Sequence, residues 1–247
     1  MSAKNTSVPT GPQVPGRWGD RLRAAPLKQP FVRYASLYHR LCDTALKLPF
    51  VRYGWLYREH LRASGWAASA RANAPVDRDR RPVAWYTYAG LAFLEPRLRD
   101  DMEVFEYGAG HSTLWWAARV GHVCSVESEL AWVDRLRPQL PANTELRHEG
   151  LHAGYAESAL HRGRRFDVVV IDGYVRNDCA RACPSVLKED GVIVWDNTER
   201  EQDYADGFGH LRGLGFRRLD FDGLGPLNGY GWRTTVFYRP GANCLGV

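Results

Sequence analysis

From residue 83 onward, short apolar runs alternate with stretches of helical spacing. EVFEY (103–107), HVCSVE (122–127), TELRH (144–148), FDVVVID (166–172), GVIVWD (191–196), FRRLDF (216–221) and RTTVFY (233–238) read as strands. STLWWAARV and SELAWVDRLRPQL, between them, carry helical periodicity. Near-continuous apolar runs such as VVVI belong to strands covered on both faces. Five strand–helix units followed by a strand pair predict a three-layer α/β sandwich around a mostly parallel, seven-stranded sheet. The last two strands, joined by DGLGPLNGYGW, form a hairpin that brings in antiparallel pairing.

The first third of the chain has a different pattern. Residues 1–16 are rich in Ser, Thr, Pro and Gly without periodicity, which predicts a mobile tail. QPFVRYASLYHRL (29–41) returns as LPFVRYGWLYREHL (48–61), each copy opening on a proline suited to a first helical turn. Phe31, Tyr34, Tyr38 and Leu41, and then Phe50, Tyr53, Tyr57 and Leu61, share helical spacing. Two short amphipathic helices with basic backs are expected, with 66–82 linking them to the main domain. The division is therefore a tail (1–16), a basic helical extension (17–82) and an α/β domain (83–247).

Charge sharpens this division. Residues 1–82 hold 15 Lys+Arg against 5 Asp+Glu, and the remainder holds 18 against 23. The net charge of +5 thus hides an acidic domain behind a basic segment, and the main domain is not built for nucleic acid. Residues 29–61 could contact an anionic membrane surface peripherally, or dock on the enzyme or on a second copy in a homodimer. No run reaches the length of a membrane span, no apolar leader core is visible, and five scattered cysteines do not form a disulfide framework. The expected location is the cytoplasm, including the inner face of its membrane.

Chemistry concentrates at the predicted strand ends. Glu106-Tyr-Gly108-Ala-Gly110-His111-Ser112-Thr113 joins the first strand to a helix, with glycines that allow a tight turn and close backbone approach. Glu127 ends the second strand, 19 residues beyond Gly108, where a carboxylate can accept ribose hydroxyls. Thr113 stands where a dinucleotide fingerprint has its third glycine, and Glu106 would repel a pyrophosphate. A ligand with a cationic centre fits better.

With E-x-G-x-G, the acid closing the second strand, FDVVVIDG, GVIVWDN and the terminal hairpin, residues 83–240 resemble the class I S-adenosylmethionine-dependent methyltransferases. The line from VFEYGAGHST through SVE to GPLNGYGWRTTVFYR resembles a bacterial group of small methyltransferases often found with surface-polysaccharide or secondary-metabolite enzymes, which implies O-methylation of a sugar or other small hydroxyl compound. The resemblance implies a Rossmann-like fold and S-adenosylmethionine as cofactor. Glu106, Gly108, Gly110 and Ser112 would lie at the methionine end, Glu127 on the ribose, and the adenine near His148 and Glu149. The alternative is a nucleotide-binding module that serves a partner complex without catalysis.

Asp172 and Asp196-Asn197, at two further strand ends, make an oxygen-only set suited to Mg²⁺. The catechol-type O-methyltransferases carry a similar set, in which the metal lowers the pKa of a substrate hydroxyl. Asp172 is equally a candidate for a cofactor or substrate contact. Against the metal stands Val175, where those enzymes have a lysine base. Asp172 and His111 are the candidate proton acceptors. Arg176, Asn228 and Tyr230 are the candidate substrate contacts, Arg176 for an anionic group. Cys179 and Cys183 are expected to be buried and structural, and Trp115-Trp116 to pack the first helix on the sheet.

Overall fold

The computed structural model describes residues 48–151, 154–241 and 243–247. The tail expected at 1–16 and the first helix copy at 29–41 lie outside the described residues. The chain divides into two units, 1–55 and 56–247. In the first, helix α1 (Pro49–Leu56) starts on its proline as the repeat predicts. The rest of that copy opens the second unit as a π-helical segment, Tyr57–Arg62.

The second unit is a seven-stranded sheet in the order β3-β2-β1-β4-β5-β7-β6. Strands β1 (Glu103–Tyr107), β2 (His122–Glu127), β3 (Thr144–His148), β4 (Phe166–Ile171) and β5 (Leu187–Asp196) are parallel. The hairpin of β6 (Arg217–Gly223) and β7 (Trp232–Tyr238) inserts β7 antiparallel to β5 and leaves β6 at the edge. Every residue of β4 is buried, as its unbroken apolar run requires. One face of the sheet packs Phe105, Tyr107, Ile171 and Trp195 together with Cys179 and Cys183. The other face packs Val104, Val168 and Val194 against Leu91 and Leu94 of helix α3 (Tyr88–Leu94) and Trp115 and Trp116 of helix α4 (His111–Ala117). The Trp pair and both cysteines are core residues, as expected. Burial raises both thiols far above their ordinary range, so they stay protonated.

The stretch 66–82 is more than a linker. Trp66–Ala72 forms helix α2, with Ala67 and Ser69 buried. The Ser69 hydroxyl donates to the Val76 carbonyl (2.6 Å) and accepts from its N–H (3.0 Å), and Trp66 Nε1 donates to the carbonyl of Asn228 (2.8 Å). The small and charged composition suggested a solvated connector. The buried side of α2 is made of Ala and Ser, residues that a hydrophobicity pattern passes over.

Candidate functional site

The sheet order reverses between β1 and β4, and in open α/β sheets such a switch point leaves a crevice outside the strand ends. Here it opens onto a cavity of about 960 Å³, bordered among others by Gly108, Gly110, Ser112, Glu127 and Asp172. Gly108 sits at φ +87°, and a Cβ there would lie 2.9 Å from the backbone of Gly173. Glycine at 108 is therefore fixed twice, by conformation and by the close approach of the β1 and β4 loops. Gly110 differs: its backbone is extended, and a Cβ would meet only the Trp132 ring, at 3.8 Å. Trp132, on helix α5 (Leu130–Leu136), donates from Nε1 to the Ala109 carbonyl (2.6 Å) and pins the loop.

Two carboxylates serve the β1–β2 side. Glu106, expected at the methionine end, is fully buried and is not among the residues that border the cavity. It lies beneath the loop, where Oε2 accepts from Thr113 Oγ1 (2.5 Å) and Ser125 Oγ (2.8 Å). Its Oε1 has no hydrogen-bond partner among the described residues. Burial pushes its pKa up to about 7, against the pull of the Ser112, Thr113 and Ser125 hydroxyls. Glu127 is half-buried on the cavity wall. Its Oε1 accepts from the N–H groups of Ser128 (2.7 Å) and Glu129 (2.9 Å) and from Ser128 Oγ (3.3 Å). Its Oε2 accepts only from Ala109 N–H (3.0 Å), which leaves that oxygen a lone pair for a ligand hydroxyl. These donors come from the main chain that follows Glu127, from the Ser128 hydroxyl and from the loop after β1, so the carboxylate is aimed before any ligand arrives.

The β4–β5 side is organised by Arg176, the first residue of helix α6 (Arg176–Ala182). Its Nε donates to the Gly173 carbonyl (2.8 Å). One terminal nitrogen donates to the Asp196 carbonyl and to Asn197 Oδ1, the other to the carbonyl and Oδ1 of Asp172 (2.9 and 3.0 Å). All five guanidinium N–H groups are thus committed within the chain. The expected anion contact by Arg176 is corrected accordingly: the residue borders the cavity but has no donor to spare. The expected Mg²⁺ set does not fit either. A guanidinium already lies between Asp172 and Asn197, and the Asp196 side chain turns into the core, accepting from Thr234 Oγ1 (2.5 Å) and Trp232 Nε1 (3.2 Å). Burial and the neighbouring Asp172 push Asp196 well above the usual carboxylate range. Burial likewise raises Asp172, against the pull of Arg176. Among the described residues, the one group of three His, Cys or acidic ligand atoms is His122, Cys124 and Glu145, near the amino ends of β2 and β3.

His111 borders the cavity half-buried, and burial lowers its pKa. Asn228 and Tyr230 do not border it. Asn228 is tied into its turn through Pro226 and Trp66, and Tyr230 is exposed beside Trp232, while their neighbour Leu227 does line the wall. His148 and Glu149 also lie off the cavity; His148 Nε2 sits 3.0 Å from the Ser128 carbonyl. Sequence reasoning missed the aromatic wall of Trp85, Trp132, Tyr174 and Tyr204. It also missed the backbone strain. Of five non-glycine residues with positive φ among the described residues, Asn73, Val175 and Leu227 line this cavity, and Asn197 holds Arg176. Such outliers persist where surrounding structure holds them, and they cluster at working sites. For β-branched Val175 (φ +43°) no sequence signal exists.

No protein-family model matches the chain, and no curated protein matches it by sequence. Solved structures do match by fold. An O-methyltransferase described as putative, from Klebsiella pneumoniae, superposes with a TM-score of 0.52 at 16% identity, over 76% of this chain and 96% of its own. The O-methyltransferase TomG from Streptomyces achromogenes, involved in tomaymycin synthesis and solved in complex with S-adenosylmethionine, gives 0.51 at 18%, over 72% and 90%. The chain has the Rossmann-like fold of these methyltransferases.

Proposed function

We propose that the protein is an S-adenosylmethionine-dependent methyltransferase acting on a hydroxyl of a small acceptor, a sugar or similar compound. The observation that carries the reading is Glu127, aimed at a cavity at the switch point whose glycine loop lies over the buried Glu106. The volume is in the range of small-molecule sites. When bound, S-adenosylmethionine supplies a methyl group on a cationic sulfur. Glu127 Oε2 would accept a ribose hydroxyl, and the Gly108–Gly110 backbone would border the methionine portion. Glu106 favours a positive charge above it through Ser112 and Thr113. His111 has no hydrogen-bond partner among the described residues, and its lowered pKa keeps it neutral at pH 7, able to take the proton of the attacking hydroxyl. The aromatic wall suits an uncharged acceptor, and Arg176 fixes Asp172 without a metal.

Calorimetric titration with S-adenosylmethionine, its demethylated product and NAD tests the reading. The first two should bind and NAD should not. A preference for NAD, or no binding of any of the three, would overturn it. His111→Ala should lower kcat while leaving cofactor affinity unchanged.

A further inference from the structure

We propose that a second basin, outside the cofactor cavity, binds a phosphate-bearing anion of at least two charges, a diphosphate group being the best match. The basin has a volume of about 610 Å³, and Arg58, Arg62, Arg71, Arg78 and Arg80 border it, with Asp79 as its one acid. These arginines come from three separate elements: the π-helical segment, the end of α2 and the turn at 77–81. They converge over a wall of small residues, including Ala63, Ala67, Ala68 and Ala72, which leaves room at its centre.

The backbone that carries the arginines is fixed before any ligand arrives. Asp77 Oδ1 accepts from the N–H groups of Asp79 (2.8 Å) and Arg81 (2.9 Å), and the Val76–Pro82 bridge closes the turn. Gly65, at φ +88°, lets that turn press onto the start of α2; a Cβ there would lie 2.7 Å from the Asp77 backbone. Arg80 is held at φ +63°, a conformation that a solvated loop would relax. A π-helical turn is itself uncommon and recurs at working sites.

The charge balance points to the ligand. Arg58 pairs with Glu59 (3.0 Å) and Arg78 lies 3.8 Å from Asp79, while Arg71 reaches only the Tyr57 hydroxyl (3.3 Å). No carboxylate among the described residues pairs with Arg62, Arg71 or Arg80. Residues 56–82 hold six arginines and no lysine. The planar guanidinium fork matches phosphate oxygens bidentately, which a lysine ammonium cannot do. Residues 73–75 of the same segment border the cofactor cavity, so the basin lies one short stretch of chain from it. The proposal stands independently of methyl transfer.

The experiment titrates the full chain with inorganic pyrophosphate at low and high salt, beside the Arg62→Gln/Arg80→Gln variant. Neither side chain makes a bond within the described residues, so the variant should fold with an unchanged Tm. Salt-sensitive pyrophosphate binding, weakened roughly tenfold or more in the variant with S-adenosylmethionine affinity unchanged, is the expected result. Flotation with vesicles containing phosphatidic acid, whose phosphomonoester can carry two charges, then separates the sources. Flotation that pyrophosphate competes away and the variant lacks identifies a lipid headgroup. Pyrophosphate binding without flotation identifies a soluble diphosphate compound. Absence of pyrophosphate binding, or binding that the variant retains, overturns the proposal.

Discussion

The two halves of the cavity floor solve one electrostatic problem in opposite ways. On the β1–β2 side, Glu106 is buried against hydroxyls alone, with one oxygen unpartnered and a pKa pushed to about 7. On the β4–β5 side, the half-buried Asp172 carboxylate pairs with Arg176, which brings its cation with the chain and also donates to the main-chain carbonyl of Asp196. On the first side one carboxylate oxygen is left without a partner, while on the second Arg176 already holds the edge that a metal would occupy. A cationic cofactor therefore has a reason to favour the glycine-loop side, and a divalent metal has none to enter the other.

Arg176→Met should break the comparison most severely. Asp172 loses its ion-pair partner and the carbonyls of Gly173 and Asp196 lose a charged donor, at a cost of about 1.5–3 kcal/mol. A lowered urea midpoint with an unchanged m-value would register it, and a loss below 1 kcal/mol would show that the β4–β5 side does not depend on its internal cation.

Glu106→Gln probes the opposite half through pH. Because the folded pKa is raised, the contribution of Glu106 is fully present below its unfolded value and is lost as pH rises toward about 7. The unmodified protein should lose on the order of 3 kcal/mol from this group between pH 4.5 and 7.5. The variant should lack that slope, keeping its bonds to Thr113 and Ser125 through the amide oxygen. Binding of a cationic cofactor near pH 7 should also release a proton, measured by calorimetry in buffers of different ionisation enthalpy. The variant should release none from this position.

Glu127→Ala should weaken S-adenosylmethionine binding by about 1.5–3 kcal/mol, the scale of a lost hydrogen bond to a charged group. An unchanged affinity in the folded variant would remove Glu127 from the ribose. The smallest effect belongs to chelation: excess chelator should leave methyl transfer unaltered. Activity lost in chelator and restored by Mg²⁺ would mean that Arg176 is displaced during turnover.

The legibility of the sequence follows the same division. The strands and the loop around Gly108 were readable because their physics is local: an apolar run, a turn, a carboxylate at a strand end. Glu127 was readable for the same reason. Asp172, Asp196 and Asn197 were correctly placed at one edge, but their meaning was not, since three oxygens near one another read as a metal set. Only the fold shows that Arg176 reaches back four residues to Asp172 and across to Asn197. The burial of Glu106 beneath the loop was not legible, because strand alternation does not tell whether an end residue faces the crevice or the floor beneath it. The arginines of 58–80 were visible as charge but not as a basin, because their convergence depends on a π-helical turn and on Gly65.

Val175 has a consequence for anyone who modifies this protein. Replacing a β-branched residue in the left-handed region by glycine relieves roughly 1–2 kcal/mol of strain. A screen that rewards heat resistance alone would therefore be drawn to Val175→Gly early. Yet Val175 is the hinge-pin from which α6 departs, and Arg176 follows it directly. A glycine would loosen the point from which the guanidinium is aimed. The hardier variants recovered by such a screen should include some that have exchanged catalytic alignment for endurance, and their genotype would identify them before any assay.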